Sequence, residues 1–229
     1  MEIKVLVSSS KANCTYISDG NTSLLLDAGL RLREVRKALN FQVSSLSAVL
    51  ATHQHLDHCR GIPDLIKSGV DCYLNQATAG SLGIDSHRLK IISAMQQFNI
   101  GSWQVLAFDL VHEVESLGFL LSNKNGEKLV YITDSAYCPY KFRGLTHICI
   151  EANYSEKLLS QNRSIPSLLK QNIIRNHFSL KNVKDFLKAN DLRNVKEIFL
   201  CHLSDANSNA EMFKREIQEL TGKPTFIAP

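Results

Sequence analysis

Residues 52–58 read Thr-His-Gln-His-Leu-Asp-His, and this run decides the fold. Within six positions it supplies three imidazoles and one carboxylate: His53, His55, His58 and Asp57. These two ligand types together suit zinc, manganese or iron. On a helix, His53 and Asp57 would share one face, whereas in an extended segment His55 would join them. A tight loop at a strand end could instead turn all four side chains toward one or two ions.

The flanks of this run predict its local structure. Residues 47–51, Ser-Ala-Val-Leu-Ala, are apolar and read as a buried strand. Gly61-Ile-Pro63 is typical of a helix entry with proline in the first turn. The histidines are therefore expected on a strand-to-helix loop. Cys59 could be a further ligand, but a buried cysteine that acts as a small hydrophobe is the favoured interpretation.

The composition is that of a globular protein. With 229 residues, 44% hydrophobic and 21% charged, the chain fits one large domain or two small ones. Six scattered cysteines without a C-x-x-C pair indicate reduced thiols and a cytoplasmic protein. We expect no membrane association, because no apolar run is long enough to span a bilayer. The N-terminus alternates like a strand and does not resemble a signal peptide.

The net charge of +4, with a sequence pI of about 8.7, is compatible with an anionic substrate. It does not by itself establish nucleic-acid binding, because the sequence contains no dense basic stripe interleaved with aromatic residues.

Short strands are predicted through the first half of the chain and helices mainly between later strands. The predicted strands are residues 3–7, 14–18, 24–26, 48–51, 72–74, 105–109, 118–122, 128–133, 148–152, 197–200 and 226–227, with a hairpin around Asn125-Gly126. The predicted helices are residues 31–39, 62–68, 180–189 and 210–220. This order favours an α/β protein with two packed sheets and helices outside.

Three further metal donors each follow a predicted strand. They are His112, Asp134 and His202. Polar residues at the ends of strands are common sites of function, because loops there are held by a rigid scaffold. A two-metal hydrolytic site needs a shared bridging group and ions roughly 3.5–4 Å apart. With the 52–58 run, these residues supply the donors that such a site needs.

Together these residues resemble the metallo-β-lactamase superfamily. The resemblance spans nearly the whole chain: an opening strand, Leu25-Leu-Asp27-Ala-Gly29, the histidine run, and then single His, Asp and His donors in order. It implies a single domain over residues 1–229, folded as a four-layer αββα sandwich with two mixed sheets and a dinuclear site. The ligands it implies are His53, His55 and His112 for one ion, Asp57, His58 and His202 for the other, and Asp134 as the bridge.

Two positions indicate the branch of the superfamily. His55 stands where a similar di-iron oxidoreductase branch has Glu, and Asp134 stands where many β-lactamases have Cys. These residues suit hydrolysis of phosphodiesters or thioesters. The chain is too short for the large insert of the RNA-processing β-CASP branch, and it leaves little room for the long substrate arm of many ribonuclease Z enzymes.

The chain most resembles a compact bacterial and phage branch that includes 5′-to-3′ DNA exonucleases. The segments that carry this likeness are 8–16, Glu151-Ala-Asn-Tyr154, Asn176-His177-Phe-Ser179, and Cys201-His-Leu-Ser204 with Asn207. Asn176 and Phe178 depart from that branch, which usually has Gly and Leu there. These departures bear on the geometry of the His177 loop and hence on the substrate.

The resemblance implies a phosphodiesterase that acts on DNA or RNA through a hydroxide shared by two divalent ions, Zn²⁺ or Mn²⁺. Asp57 would orient the attacking water, and His177 would contact the scissile phosphate or protonate the leaving oxygen. His87 and His147 are expected to be structural. The alternatives are a cyclic-nucleotide phosphodiesterase, then a thioesterase or lactamase, and last a metal-stabilised scaffold. A homodimer that completes the site stays open.

Overall fold

The structure is a computed structural model that describes residues 1–41 and 43–229. It comprises two compact units. Unit 1 contains Met1–Asp109, Val114–Gly126 and Pro229, and unit 2 contains Leu110–Glu113 and Glu127–Ala228. The expectation that residues 1–229 form a single domain stays a prediction. Among the described residues, no helix is both long and apolar enough to cross a membrane.

Unit 1 contains nine strands and four α-helices in its described part. The strands are β1 (Glu2–Ser9), β2 (Ala12–Ser18), β3 (Ser23–Leu26), β4 (Leu46–Leu50), β5 (Asp71–Leu74), β6 (Leu89–Ile91), β7 (Gln97–Ile100), β8 (Trp103–Asp109) and β9 (Leu117–Ser122). The helices are α1 (Leu32–Ala38), α2 (Leu56–Cys59), α3 (Ile62–Lys67) and α4 (Gln76–Leu82), with a 3₁₀ turn at Val43–Ser45.

The first six strands form a mixed sheet in sequence order. Strands β1, β2 and β3 pair antiparallel, and β3 to β6 pair parallel. Leu26 of β3 lies opposite Leu50 of β4, so the residues that follow these two strands emerge side by side. Strands β7, β8 and β9 pair antiparallel in order.

Among its described residues, unit 2 contains four parallel strands and four helices. Its elements are β10 (Lys128–Ile132), β11 (His147–Glu151), α5 (Glu156–Gln161), α6 (Ser167–Asn176), α7 (Leu180–Ala189), β12 (Glu197–Cys201), α8 (Ala210–Thr221) and β13 (Thr225–Ile227). Strands β10 to β13 are all parallel in chain order. Strand β11 is buried along its whole length, as expected for a parallel strand covered on both faces.

The helices form where apolar residues recur at helical spacing. In α7, Val183, Phe186 and Leu187 are buried, and the side chain of Ser179 accepts the backbone N–H of Asn182 as the N-terminal cap. The 180–189 prediction is confirmed to the residue. The other predicted helices and strands are present with ends shifted by up to two residues.

Several short elements were not predicted. They are α2, α4, α5, α6, β6 and β7. Helix α2 matters most for function, because it contains Asp57 and His58, which were expected in a loop. Strands do flank Asn125-Gly126, and Gly126 has a φ of 76°, a left-handed conformation that glycine adopts without steric cost.

Candidate functional site

The histidine run of unit 1 changes conformation in its middle. His53 follows the buried end of β4, His55 is the extended residue that caps α2, and Asp57 and His58 lie in the single turn of that helix. Because the chain turns there, the three imidazole rings lie close together. The ring centroid of His53 lies 4.6 Å from that of His55 and 4.1 Å from that of His58. The predicted clustering of these three imidazoles within unit 1 is therefore present.

Asp27, directly after β3, anchors this cluster. Its Oδ1 accepts both the backbone N–H and the hydroxyl of Thr52, at 2.8 and 2.9 Å. Its Oδ2 lies 2.9 Å from Nδ1 of His58, and both side chains are fully buried. A carboxylate here fixes the proton of His58 on Nδ1, so Nε2 carries a lone pair. This carboxylate–histidine arrangement is the one that orients metal-binding histidines.

His53 is held in the same tautomer. The single hydroxyl proton of Thr52 goes to Asp27, so the 2.9 Å contact between Thr52 Oγ1 and Nδ1 of His53 requires the imidazole to donate. The Nε2 atom of His53 then carries a lone pair, and it lies 3.0 Å from Nδ1 of His55. Neutral imidazole with an unprotonated nitrogen is the form that a divalent metal needs.

Asn13 spans the other side of the cluster. Its amide Nδ2 lies 3.0 Å from Nε2 of His58 and 3.3 Å from Oδ2 of Asp57. Asn13 is itself buried, and its backbone carbonyl accepts the N–H of Gly29 at 2.9 Å. The amide therefore contacts two of the predicted ligands.

Gly29 is required by a close approach of two backbones. A Cβ atom at this position would lie 1.8 Å from the carbonyl oxygen of Asp57. The neighbouring Ala28 donates its N–H to the carbonyl of His58 at 2.7 Å. The 27–29 segment thus lies directly under α2, which explains the glycine in the Asp27-Ala-Gly29 motif.

In unit 2, a second set of polar residues follows the parallel strands. Ile132, Ile150 and Leu200 are neighbours in register across β10, β11 and β12. The residues just beyond them therefore emerge together at one edge of the sheet. They are Asp134, Glu151 and His202, all nearly or fully buried.

Three residues of the two clusters share an unusual backbone conformation. Asp27, Asp134 and His202 have φ values of 60°, 49° and 52°, in the left-handed region that non-glycine residues rarely adopt. Each one follows the end of a strand. Such conformations cost of order 1–3 kcal/mol each and cluster at functional sites, where the surrounding structure holds them in place.

Glu151 joins the members of the second cluster. Its Oε2 accepts the backbone N–H groups of Ser135 and Phe178 at 3.0 and 3.1 Å. Its Oε1 lies 2.6 Å from Nδ1 of His177 and 2.9 Å from Nδ1 of His202. The carboxylate is fully buried, so its charge depends on these four donors.

The pKa values in this cluster reflect two opposing effects: burial of the side chains and the charges of their neighbours. Burial alone would lower the pKa of His202, but the nearby carboxylates of Asp134 and Glu151 outweigh it and raise the pKa to about 10. Burial likewise opposes protonation of His177, and Glu151 prevails and raises its pKa. Burial would raise the pKa of Glu151, yet the two histidines hold it below its usual value.

His112 belongs to the same unit and has a fixed ring orientation. Its Nδ1 lies 3.2 Å from the carbonyl oxygen of Asn176 and so donates to it, which leaves Nε2 as the lone-pair nitrogen. The Asn176 side chain is buried and donates to Glu113 at 3.2 Å. Asn176, where the resembled branch usually has glycine, therefore links the end of α6 to the residues around His112.

The donors fit a divalent metal by their chemistry. In unit 2, Asp134, Glu151, His177 and His202 each bring one ligand atom, and these atoms lie within 4.8 Å of one another. In unit 1, His53, His55, Asp57 and His58 adjoin each other through the contacts above. Mixed imidazole and carboxylate donors with fixed tautomers suit zinc or manganese.

His87 and His147 lie apart from these clusters, whereas Cys59 adjoins the histidine run of unit 1. His87 is exposed, and His147 is buried within β11, where its Nδ1 contacts the hydroxyl of Thr146. The Sγ of Cys59 lies 3.2 Å from the carbonyl of Gln54, and burial raises the pKa of this thiol to about 11. Cys59 is therefore a neutral thiol at neutral pH, which fits its structural interpretation.

Sequence reasoning gave no role to Asp27, Asn13 or Glu151. A signal was present for two of them, because Asp27 and Glu151 are single carboxylates at the ends of otherwise apolar strands. The same argument that selected Asp134 and His202 would have selected both. Asn13 lies inside β2, and nothing in its local pattern distinguishes it.

A family comparison agrees with this architecture. The family model described as "Beta-lactamase superfamily domain" matches residues 22–198, about three quarters of the chain. The chain therefore belongs to the β-lactamase superfamily, and the metal-dependent hydrolase class predicted from the sequence is confirmed.

The chain is also similar over most of its length to individual proteins, at 17% to 28% sequence identity. The chain is 28% identical over 225 residues to "Exodeoxyribonuclease WalJ" of Streptococcus pneumoniae, covering 91% of this chain and 83% of that protein. It is 25% identical over 241 residues to "Exodeoxyribonuclease YycJ" of Bacillus anthracis, covering 99% and 91%. The solved metallo-β-lactamase fold protein YhfI of Bacillus subtilis is 17% identical, with a TM-score of 0.76 over 99% of this chain and 95% of that one. The α/β fold with two mixed sheets and helices is confirmed.

Proposed function

We propose that the chain is a phosphodiesterase that hydrolyses DNA, with exonuclease-like action. The observation that carries the proposal is the shared orientation of three imidazoles: Nδ1 of His53, His58 and His112 faces an oxygen of Thr52, Asp27 and Asn176 respectively, which would leave Nε2 as the ligand atom of each. The likeness over nearly full length to two proteins named exodeoxyribonucleases supports DNA as the substrate.

We assign the metal ligands as the superfamily resemblance implies. The proposed set is His53, His55 and His112 for one ion, Asp57, His58 and His202 for the other, and Asp134 between them. When bound, two divalent ions would acidify water and offset charge on a phosphoryl group. Whether the native ion is Zn²⁺ or Mn²⁺ is decided by activity after reconstitution with each, because this donor set accepts both.

The chain's own residues supply orientation and proton transfer. Asp57 lies within reach of Asn13 and His58 and would orient the attacking water through its carboxylate. His177 is held at Nδ1 by Glu151, and its side chain is 21% exposed. Its Nε2–H would therefore donate a proton to the leaving oxygen, a role that a histidine with a raised pKa can perform.

The test is a substrate panel on protein stripped with a chelator and reconstituted with Zn²⁺ or Mn²⁺. The panel contains 5′-labelled single- and double-stranded DNA, RNA of the same sequence, a cyclic nucleotide and bis(p-nitrophenyl) phosphate. We expect metal-dependent release of mononucleotides from DNA in preference to the other substrates. Preferred cleavage of the cyclic nucleotide would establish the small-substrate alternative, and metal-dependent activity on none of them would reject phosphodiester hydrolysis.

The Asp134→Ala variant tests the assigned ligands. It should lose about two equivalents of bound metal, and turnover should fall by at least about 100-fold, because the proposed bridging carboxylate is gone. The exposed His87→Ala variant is the matched control and should keep both metal content and rate. Elemental analysis of the purified variants measures the metal directly. Wild-type turnover in Asp134→Ala would contradict the assignment.

A further inference from the structure

Residues 157–184 contain a concentration of basic side chains. This stretch contains six basic residues and no Asp or Glu: Lys157, Arg163, Lys170, Arg175, Lys181 and Lys184. The whole chain has a net charge of only +4, so the basic excess is concentrated around His177 rather than spread evenly. Lys181 and Lys184 are paired with Asp185 and Glu216 on α7 and α8.

Of the four remaining cations of this stretch, Arg163, Lys170 and Arg175 have no acidic partner among the described residues. Within the described part of the chain, Arg163 and Arg175 make no ion pair, and both are exposed. Lys170 donates only to the backbone carbonyl of Ser160, at 3.2 Å. These three side chains are therefore available to an anion from outside the chain.

Helix α6 carries two of these cations, Lys170 and Arg175, on a surface that also exposes apolar side chains. Of its ten residues only Asn176 is buried. Leu168 is 71% exposed and Ile174 is 52% exposed. Leu168 and Arg175, seven positions apart, lie on one face, and Lys170 and Ile174, four apart, lie on a second face roughly 130° further round the helix at 3.6 residues per turn. Each of these two faces of α6 thus carries one aliphatic and one cationic side chain.

The helix is fixed to the second cluster at its C-terminal end. The residue that ends it is His177, whose Nδ1 lies 2.6 Å from Glu151, and the carbonyl of Asn176 accepts from His112. A ligand lying along α6 would therefore be led directly to His177. A ten-residue helix is about 15 Å long, the reach of a few nucleotides.

We propose that α6, together with Arg163 just before it, is a binding surface for the single-stranded nucleic-acid substrate, in which Arg163, Lys170 and Arg175 contact phosphates and Leu168 and Ile174 pack against bases. The inference rests on the proposed function of the same site, and it identifies the residues that recognise a polymer rather than a small phosphodiester. Charge complementarity favours nucleic acid as the ligand of this surface, because a phosphate backbone offers one negative charge per nucleotide to these cations.

Two other occupants fit less well. In a two-fold dimer the same patch would face itself, so Lys170 and Arg175 would meet their own copies without a compensating carboxylate. A membrane surface would gain little, because binding there scales with buried apolar area and α6 offers only a few exposed aliphatic side chains.

The decisive experiment compares two variants with equal loss of charge. The first is the triple variant Arg163→Gln, Lys170→Gln, Arg175→Gln. The matched control is Arg33→Gln, Arg36→Gln, Lys37→Gln, three exposed cations on α1. Binding of a fluorescein-labelled single-stranded oligonucleotide is measured by anisotropy from 50 to 300 mM salt, with Ca²⁺ added to the protein. Because binding is read directly, this result does not depend on whether the chain cleaves DNA.

We expect the α6 variant to bind at least about tenfold more weakly, and the slope of log Kd against log salt to fall by about 2, since each single-strand phosphate contact contributes about 0.7. The α1 control should keep the wild-type slope. In the hydrolysis assay, the ratio of kcat/KM for DNA to that for bis(p-nitrophenyl) phosphate should fall by a similar factor. Equal slopes in the two variants would overturn the proposal.

The double variant Leu168→Ala, Ile174→Ala distinguishes nucleic-acid binding from self-association and from membrane binding. We expect it to weaken oligonucleotide binding while the molecular mass by light scattering stays that of the wild type. If it instead dissociates a wild-type dimer and leaves DNA binding intact, α6 is a self-association surface and the proposal is wrong. Loss of binding to anionic phospholipid vesicles with unchanged DNA binding would contradict it equally.

Discussion

Nδ1 of His177 lies 2.6 Å from Oε1 of Glu151, which makes the buried carboxylate the residue that fixes this ring. The same Oε1 atom lies 2.9 Å from Nδ1 of His202. One carboxylate oxygen therefore orients both a proposed proton donor and a proposed metal ligand. Changing Glu151 should affect metal affinity and turnover together.

The first prediction concerns Glu151→Gln. The amide keeps the shape of the side chain, but its NH₂ group cannot accept the hydrogen bonds that the carboxylate receives. We expect metal affinity or kcat to fall by about 10–100-fold, the usual cost of losing a partner that orients a metal ligand. Metal titration followed by phosphodiesterase assay measures both quantities.

The control for this variant is Glu156→Gln, an exposed carboxylate at the start of α5. It removes the same charge without touching a histidine and should behave as the wild type. If Glu151→Gln retained the wild-type metal affinity and kcat, Glu151 would not orient the cluster.

The second prediction concerns Asp27→Asn. An asparagine NH₂ facing Nδ1 of His58 would favour the tautomer with its proton on Nε2, the atom expected to bind metal. Metal affinity should fall by about 10–100-fold, with the larger effect on one of two binding steps. Isothermal titration of metal-free protein with Zn²⁺ resolves these steps. Asp85→Asn, an exposed loop carboxylate, is the control, and identical isotherms for both variants would contradict the role of Asp27.

The strand-end placement of the site residues was predictable from the sequence, and their conformations were not. His53, Asp134 and His202 were predicted as site residues because each is a polar metal donor that follows an apolar strand. The turn of helix at Leu56–Cys59 is too short to produce a periodic pattern, so no window could separate it from a loop. The left-handed backbone of Asp134 likewise depends on contacts with residues distant in the chain.

The missed helices have physical reasons of their own. Helix α6 buries only Asn176, so its apolar residues do not mark a core-facing stripe. Helix α4 is built mostly from small residues, yet its cap was visible: the side chain of Asn75 accepts the N–H of Thr78. A search for N-capping residues would have predicted α4, whereas hydrophobic periodicity could not.

The third prediction compares two glycines. In Gly29→Ala the new Cβ would lie 1.8 Å from the backbone oxygen of Asp57, so the 27–29 segment and α2 must separate. We expect a loss of about 1–3 kcal/mol in the free energy of unfolding, as for other overpacked sites, together with weaker metal binding. Urea denaturation and metal titration measure the two effects.

Gly80→Ala is the matched substitution, because its Cβ would meet no atom within 4 Å on helix α4. Alanine in a helix should stabilise this variant by roughly 0.5–1 kcal/mol relative to glycine. The two substitutions should therefore change stability in opposite directions. Stabilisation by both substitutions would show that the contact with Asp57 has no energetic consequence.

The fourth prediction is a pH dependence of stability that arises from His147. Burial is the main cause that lowers the pKa of this histidine to about 4 in the folded chain, against 6.5 as its ordinary value. Between these values the unfolded chain binds a proton that the folded chain does not. The folded state is therefore favoured above pH 6.5, and this contribution is lost as the pH falls toward 4.

At pH 5 the loss relative to pH 7 should reach about 2 kcal/mol, from 1.36 kcal/mol per pKa unit of difference. The non-titrating variant His147→Gln should lack this slope, although its stability at pH 7 will differ because the contact with Thr146 changes. Urea denaturation of wild type and variant at pH 5, 6 and 7 gives the difference between their slopes, which cancels the titration of all other groups. Parallel slopes would mean that His147 accepts its proton in the folded chain near its ordinary pKa.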